Sequence, residues 1–538
     1  MANELPFIQE ANVMDKAFHN DVVSAFLTGN LDPSIDFGKV NRERVQSLTQ
    51  HSDYSPENRK ILVEALHKQY ASLNQPPNED SVVHQNIQAL LDSNTITVTT
   101  GQQIHIFLGP LFVIYKIVSC INAAREIQKN HPGYRVIPVF WMASEDHDFD
   151  EIRSIQLYNQ QYVWDRPGKG AVGRFSPKTL LPLVDELADR LDQNEFNATF
   201  IDLCRKAYSN HETFAQATQY LVHHLFEKDG LVVIDPDTPS LKSLYKDIIR
   251  KDVLDQSLQQ AMDTGIGALK EAGIKPPINT RPINHFFLSE EGRNRIEYSN
   301  DRFELIGLDK TYHADELSKL IDTHPETFSP NALLRPIYQQ RILPNIEYIC
   351  GGSEFIYWLE LSTLFDHLNV FKPALNIRKS AFILGSGIQK TFDRYQILYE
   401  SCLLNDESFN QLLAQKSSEN MEVVQNAKTK LEEAISDLEK ISSKLNLSAP
   451  SKSFRKSLDG ILSNVEVQFE RWNDEIVSQN EHLNKVKRQK DKIRSSSHLQ
   501  ERNEFIINHL PTLLPLLKNG QFESISQNEA TFANLIIA

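Results

Sequence analysis

Val136-Ile137-Pro138-Val139-Phe140-Trp141-Met142-Ala143-Ser144 is almost wholly apolar and ends abruptly in Glu145-Asp146-His147-Asp148. So short a segment, without polar alternation, reads as a strand buried on both faces, as a parallel sheet covered by helices requires. Three carboxylates and an imidazole at its end would be costly to bury without partners. They are therefore expected at the carboxyl edge of the sheet, where open α/β folds bind ligands. This stretch dictates an α/β fold and places the functional site.

The surroundings support a βαβ unit. Thr95-Ile96-Thr97-Val98-Thr99-Thr100 is rich in β-branched residues and ends at Gly101-Gln102-Gln103. Gly109-Pro110 then opens a helix, with proline at a favoured early position. Ile114, Ile117, Val118 and Ile121 form its apolar stripe, and His131-Pro132-Gly133 stops it before the buried strand. Strand, helix and strand in so few residues give a right-handed crossover and a parallel pair.

Further along, a helical stretch covers about 181–228, and Leu231-Val232-Val233-Ile234 reads as a strand ending in Asp235-Pro236-Asp237. A β-like insert occupies about 283–313. Ile346-Glu347-Tyr348-Ile349-Cys350 runs into Gly351-Gly352-Ser353-Glu354 and belongs with the same sheet. The expected organisation is a mostly helical segment over 1–92, a core over 93–165, an inserted mixed region over 166–330 and the rest of the core over 331–400. A helical hairpin over 401–500 and a C-terminal segment over 501–538 complete it. The hairpin rests on two heptad seams. Val424, Ala427, Leu431, Ala434, Leu438, Ile441 and Leu445 form one. Leu458, Leu462, Val465, Phe469, Trp472, Ile476, Leu483, Val486 and Ile493 form the other, with Gln479 and Lys490 as polar interruptions. Leu447 to Ser451 supplies the turn between antiparallel helices. A first helix of roughly 40 residues would span about 60 Å, and a long coiled-coil arm is a natural dimerisation element. Two helices folded only on each other would read the same way.

Bulk properties narrow the class. At 538 residues the chain exceeds one compact core. Its net charge of −15 leaves no basic surplus for phosphates, so no nucleic-acid partner is expected. The 4 cysteines, Cys120, Cys204, Cys350 and Cys402, form no CxxC pair. They suggest neither a disulfide framework nor a zinc site, and point to a reducing cytoplasm. Met1 to Asn12 lacks the apolar stretch of a signal peptide, and no apolar run approaches the roughly 20 residues that span a bilayer. No membrane association is expected.

Four stretches could carry chemistry. In the first, Gly101 to Gly109 permits close backbone approach, and the helix after Pro110 offers free N–H groups to phosphate or carboxylate. Its spacing matches neither a dinucleotide fingerprint nor a P-loop, and a tight turn with solvated glutamines would look alike. In the second, Glu145, Asp146, His147 and Asp148 could hold a divalent metal, or bind an ammonium or hydroxyls with His147 as acid–base. They could also be a solvated loop capping a helix at Asp148 or Asp150. In the third, Gly351, Gly352 and Glu354 with Tyr357 and Trp358 suit a ligand-facing turn with an aromatic wall, or a turn whose aromatics are core. In the fourth, Arg378 and Lys379, after Pro373 to Ile377, could neutralise phosphates or lie in a solvated loop.

Taken jointly, these motifs resemble the cysteine-adding enzymes of bacillithiol biosynthesis, the cysteine ligase family. The matching residues are Thr100 to Gln103, Gly109-Pro110-Leu111 with Lys116, and Pro138 to Trp141 leading to Glu145-Asp146-His147-Asp148. Ser329-Pro330-Asn331, Arg335-Pro336, Gln339, Gly351, Glu354, Tyr357 and Trp358 extend the match, and the resemblance covers essentially the whole chain. Two departures are Gly352, where relatives often carry proline, and His105 in the first loop. The resemblance implies a Rossmann-like core with connecting-peptide insertions, similar to nucleotidylyl transferases and class I aminoacyl-tRNA synthetases, and a homodimer through the coiled coil. It also implies the reaction, an amide between the carboxyl of L-cysteine and the sugar amine of glucosaminyl-malate.

An amine and a carboxylate do not condense readily in water, so activation by ATP with Mg, most simply through a cysteinyl-adenylate, is expected. On that scheme Gly101, Gly109, Lys116, Gly351, Gly352, Arg378 and Lys379 meet the nucleotide's phosphates. Gln102, Gln103, Glu145, Glu354, Tyr357 and Trp358 contact substrate, and Arg335 meets the malate. His147 takes the proton from the attacking amine, with Asp146 and Asp148 beside it. The competing readings are a nucleotidyltransferase or metal-dependent phosphoester hydrolase working through Glu145 to Asp148, and a non-enzymatic ligand-sensing scaffold for the coiled coil.

Overall fold

The computed structural model describes residues 7–11, 20–157, 160–166, 168–384, 389–417, 452–494, 499–518 and 533–537, with isolated residues between 426 and 444. It divides into two compact units, one built mainly from 19–380 with 501–529, the other mainly from 381–500 with both chain ends.

The first unit is organised by a five-stranded sheet of β1 (Thr95–Gln102), β2 (Arg135–Met142), β3 (Val232–Ile234), β4 (Asn345–Cys350) and β5 (Ala374–Ile377). All neighbours are parallel, in the order β5-β4-β1-β2-β3. Thr95 of β1 pairs with Arg135 of β2 and the register holds to Gln102 opposite Met142. The apolar runs fall where two-sided burial is required: seven of the eight β2 residues and all of β4 are buried. Strand Val232–Ile234, read from sequence within the inserted region, is the edge strand of this sheet. From β1 the chain adds β2 and β3 on one side, then returns to place β4 and β5 on the other. The β1–β4 boundary is therefore the topological switch point, where a crevice opens beyond the strand ends.

Helix α1 (Leu111–Asn130) makes the crossover from β1 to β2. It is buried on more than one stripe, enclosing Lys116, Ser119 and Cys120 as well as its aliphatic residues. Burial pushes the Cys120 thiol up to about 12, so it packs as a small apolar group. Ahead of β1 lie helices Asp21–Leu27, Arg42–Thr49, Pro56–Ala71 and Val82–Ala89. Each opens on an Asn or Ser whose oxygen accepts the N–H three residues on.

A second five-stranded sheet in this unit is antiparallel. Its order is Thr311–Tyr312, Arg302–Leu305, Gly292–Ser299, His285–Ser289 and Phe328–Pro330. Among the described residues no helix is long and apolar enough to cross a membrane.

In the second unit, Phe7–Ala11 pairs antiparallel with Ala533–Ile537, a strand in a segment whose sequence reads as mostly helical. Helices α2 (Asp406–Ser417), α3 (Lys452–Gln479) and α4 (Glu481–Ile493) surround a core containing Phe382, Phe392, Phe409, Val477, Leu483 and Val486. The second heptad run, expected as one helix, is broken at Asn480. The side chain of Asn480 accepts the N–H groups of His482 and Leu483 at 3.1 and 3.2 Å. Lys490, a polar interruption of that seam, is buried and paired with Asp406. Trp472 is 44% exposed, so the seam is not continuously covered. Of the first seam, Ala434 and Ile441 are exposed; Val424, Ala427, Leu431, Leu438, Leu445 and the turn near Pro450 lie outside the described residues.

Candidate active site

At the carboxyl ends of β1, β2 and β4 lies a cavity of about 440 Å³. It is lined by Gly101, Gln102 and Gln103 from β1 and its end, Trp141, Glu145 and Asp146 from β2 and its end, and Arg335, Glu354 and Tyr357 from the β4 side. Pro236, Arg293, Pro330 and Asn331 close it. Gly101 is needed for close approach, since a Cβ there would stand 3.0 Å from the Tyr348 hydroxyl.

Glu354 is the centre of one half. Its Oε2 meets the Lys116 ammonium at 2.6 Å and accepts the Gly351 N–H at 3.2 Å. Its Oε1 accepts from the Tyr348 hydroxyl at 2.6 Å, the Tyr357 hydroxyl at 3.2 Å and Arg335 Nη2 at 3.4 Å. Burial opposes the negative charge, but Lys116 and Arg335 outweigh it and hold the carboxyl below its ordinary range. Lys116 also donates to the Gly101 carbonyl, so its ammonium is bound at both ends of the switch point. Arg335 donates to Gln339 at 3.2 Å and to both tyrosine hydroxyls at 3.3 Å, and faces the Tyr348 and Trp358 rings. Trp358, expected in the ligand wall, is fully buried and stacks on Tyr348 with ring centroids 4.3 Å apart. The turn of the helix carries it behind Tyr357.

The acidic cluster at the end of β2 separates into different roles. Glu145 pairs with Lys242 at 2.6 Å, and the Lys242 ammonium also donates to the Phe328 carbonyl at 2.7 Å. Asp146 accepts the Gln103 amide at 2.7 Å and the His147 N–H at 2.7 Å. Burial works against its charge, yet hydrogen bonds from His147 and Gln103 and the charge of Arg293 hold it well below the usual carboxylate range. Asp148 accepts the Glu151 N–H and caps a short helix, Phe149–Ile152. It does not line the cavity. His147, expected at the centre of the site, does not line the cavity; it is half exposed, with Nδ1 3.5 Å from Asp146 Oδ1 and its ring 6.2 Å from that of Phe286. Among the described residues no group of three His, Cys, Asp or Glu converges as a metal site.

The cations and the helix terminus assigned from sequence to phosphate have other partners. The first amide of α1, Leu111 N–H, donates to the Glu504 carbonyl at 2.9 Å, and Pro110 bridges Phe505. Gly109 sits behind the cavity wall at φ +72°, where a Cβ would lie 2.6 Å from His105. His105 is itself buried, and burial pulls its imidazole down to about 4. Arg378 makes a two-pronged ion pair with Glu501, at 2.8 and 2.5 Å. The Lys379 N–H donates to Ser119 at 3.0 Å. Neither basic residue lines the cavity, nor do Gly351 and Gly352.

Lys242 and Arg293 carry no local sequence signal. Lys242 pairs with Glu145 and the charge of Arg293 acts on Asp146, each across a long stretch of chain, and only the Arg293-x-Arg295 alternation on one strand face hints at a basic surface. Asp235, at the end of β3, accepts the Ser144 hydroxyl at 2.5 Å and the Asp237 N–H at 3.0 Å. Burial and the neighbouring Asp237 push it up to about 7. The folded chain thus keeps this proton where the unfolded chain, titrating near its ordinary 3.8, has lost it. Stability from this group is full below about pH 4 and declines until about pH 7. Asp235→Asn should remove the decline, raising stability above pH 7 relative to the parent by at most about 4 kcal/mol. Urea unfolding at pH 5 and 8 checks it; an equal parent–variant difference at both would refute it.

A parallel sheet with a charged cavity at its switch point defines an α/β enzyme of the Rossmann-like class. The match to known proteins narrows that class. Residues 20–379 match the family model described as bacillithiol biosynthesis BshC, N-terminal Rossmann-like domain, and the chain belongs to the BshC family. It is 37% identical over 379 residues to "Putative cysteine ligase BshC" of Flavobacterium psychrophilum, covering 70% of this chain and 69% of that one. The protein of the same name from Cytophaga hutchinsonii is 31% identical over 461 residues, 85% of this chain and 84% of its own. That of Staphylococcus haemolyticus is 28% identical over 414 residues, covering 72% and 76%.

Proposed function

We propose that this enzyme joins the carboxyl of L-cysteine to the amine of glucosaminyl-malate at the β1–β4 switch-point cavity, after activation of the carboxyl by ATP. One observation supports this above all. Asp146 and Gln103 on one wall face the Glu354–Arg335–Tyr357 cluster on the other, so a cationic amine and an anionic carboxyl each find a complement in one cavity.

Asp146 binds the cysteine ammonium. It is kept ionised and lines the cavity, whereas Glu145 is tied to Lys242 and Asp148 to a helix cap. Gln102 and Gln103 orient the amino acid through their amides. His147, steadied by Asp146, accepts the proton released as the sugar amine attacks the activated carbonyl.

The residues present do not form a triphosphate cradle. Lys116 is bonded to Glu354 and Arg378 to Glu501, and the α1 terminus is covered by Glu504. ATP is therefore proposed as a co-substrate on chemical grounds, with no residue assigned to its phosphates. A homodimer through the 401–500 helices is part of the same reading.

The test is to incubate the purified chain with L-cysteine and glucosaminyl-malate, with and without ATP and Mg, and follow the thiol product by mass spectrometry. Product only with nucleotide supports the scheme. Product at the same rate without nucleotide removes the activation step, and no product in any arm removes the ligase reading. His147→Asn should lower turnover by about 10²-fold with an unchanged unfolding midpoint; parental turnover would exclude it as the base.

A further inference from the structure

Beside the switch-point cavity is a second one of about 610 Å³, between the antiparallel sheet and the segment before it. The two share Arg293, Asn331 and Ala332 as a common wall. The second cavity is basic: Arg281, Arg293 and Arg295 line it against one carboxylate, Glu297. Arg293, Arg295 and Glu297 alternate along Gly292–Ser299, so the pleat sets all three on one face.

Arg281 and Arg295 are more available than the cations of the first cavity. Arg281 has no carboxylate partner among the described residues. Arg295 meets Glu297 at 3.3 Å, with both side chains about half exposed, a pairing worth little in water. Arg293 is anchored through Nε to Ser329 at 3.1 Å and Nη2 to the Pro330 carbonyl at 2.5 Å, and lies over the Phe286 ring.

His285 gives the cavity a rigid inner end. It lines this cavity yet is 2% exposed, and its Nδ1 is 2.7 Å from Asp252 Oδ2. Asp252 is itself fully buried and also accepts the N–H groups of Asn284 and His285 at 2.8 and 2.9 Å. The ring is thus fixed from behind, while its Nε2 has no partner. The ring itself is fully enclosed, its side chain 0% exposed, so it buttresses this end of the cavity rather than opening into it.

We propose that this second cavity holds the carboxylate arm of the amine-bearing substrate, clamped by Arg281, Arg293 and Arg295, while the amine reaches past the shared wall to the first cavity. This rests on the proposed function and sharpens it. Arg335, expected from sequence to meet the malate, has Glu354 as a built-in counter-ion, whereas Arg281 has none among the described residues and Arg295 only the half-exposed Glu297; such forked guanidiniums are the natural receptors for a dicarboxylate.

The test uses the intact chain and the double variant Arg281→Gln/Arg295→Gln, whose changes fall on exposed side chains. Calorimetric titrations with L-malate, glucosaminyl-malate, glucosamine and ATP are compared, together with unfolding midpoints. The expected result is at least a tenfold loss of affinity for L-malate and glucosaminyl-malate in the variant, with glucosamine and ATP unaffected. In turnover assays the KM for glucosaminyl-malate should rise by a similar factor and that for L-cysteine should hold. Parental affinity for both malate ligands in the variant would overturn the proposal, as would failure of the parent to bind them. Loss of ATP affinity alone would also overturn it, giving the arginines to phosphates. A parent that makes no amide but loses malate binding on substitution would refute the ligase reading and keep this site; a variant with unchanged KM would do the reverse.

Discussion

Replacing Glu354 by glutamine should leave a chain with turnover reduced at least about 10²-fold and an unfolding free energy lower by about 3–5 kcal/mol. The amide preserves shape and still accepts from the tyrosines, so what it removes is the charge. Two cations then face each other without a counter-ion: Lys116, whose side chain is 3% exposed, and Arg335, at 17%. Breaking a buried pair by deleting one member is far more damaging than replacing the whole set. Glu354→Gln combined with Lys116→Met should therefore recover part of the lost stability and none of the activity, a coupling that a double-mutant cycle in urea measures. The carboxyl is held below its ordinary range, so its contribution is present above the unfolded value and lost as pH falls through the folded one. The penalty of the single variant should accordingly shrink on acidification. A Glu354→Gln midpoint equal to the parent's at neutral pH would mean the network carries no net stability.

The parallel core was legible because its strands are buried on both faces, which leaves a continuous apolar run at 136–144, a β-branched run at 95–100 and a mostly apolar one, broken by Glu347, at 346–350. The polar residues that end those runs meet at the cavity for the same reason, so Gln102 and Glu354 share one cavity as the sequence suggests, whereas His147, expected with them, lies outside its lining and its neighbour Asp146 stands there instead. What sequence could not show was which charges are already compensated. Arg378 reads as free until Glu501 is brought beside it, and the α1 terminus reads as an anion site until Glu504 covers it. Both partners lie more than a hundred residues downstream, beyond any local pattern. Trp358 looked equivalent to Tyr357 because neighbours in sequence seem to share a surface, yet one helical step, about 100°, separates a cavity wall from the core. The heptad run through 458–493 hid a break for a different reason: Asn480 suits a helix cap as well as a solvated helix position, and only the hydrogen bonds to His482 and Leu483 decide it.

The second large effect belongs to Lys242, which carried no sequence signal. Lys242→Met should destabilise the chain by about 3–5 kcal/mol, because it leaves Glu145 largely enclosed without its cation. The Lys242 side chain is fully buried and that of Glu145 is 10% exposed. The ammonium also bonds the Phe328 carbonyl and stands 4.8 Å from the centre of the Tyr338 ring. Methionine fills similar volume, so lost packing is small and the uncompensated carboxylate dominates. Glu145→Gln alone should be damaging by the mirror argument. The double variant Glu145→Gln/Lys242→Met, with neither charge, should lie within about 1–2 kcal/mol of the parent, since a buried pair against an apolar replacement is close to neutral. Urea unfolding of the parent, both single variants and the double variant tests all of this. Single variants within about 0.5 kcal/mol of the parent would show that water reaches Glu145 through the cavity it lines. Because Lys242 ties the end of β2 to the strand Phe328–Pro330, the same loss should loosen the wall that both cavities share. The Lys242→Met chain should then bind L-malate more weakly even though no malate-contacting residue has changed.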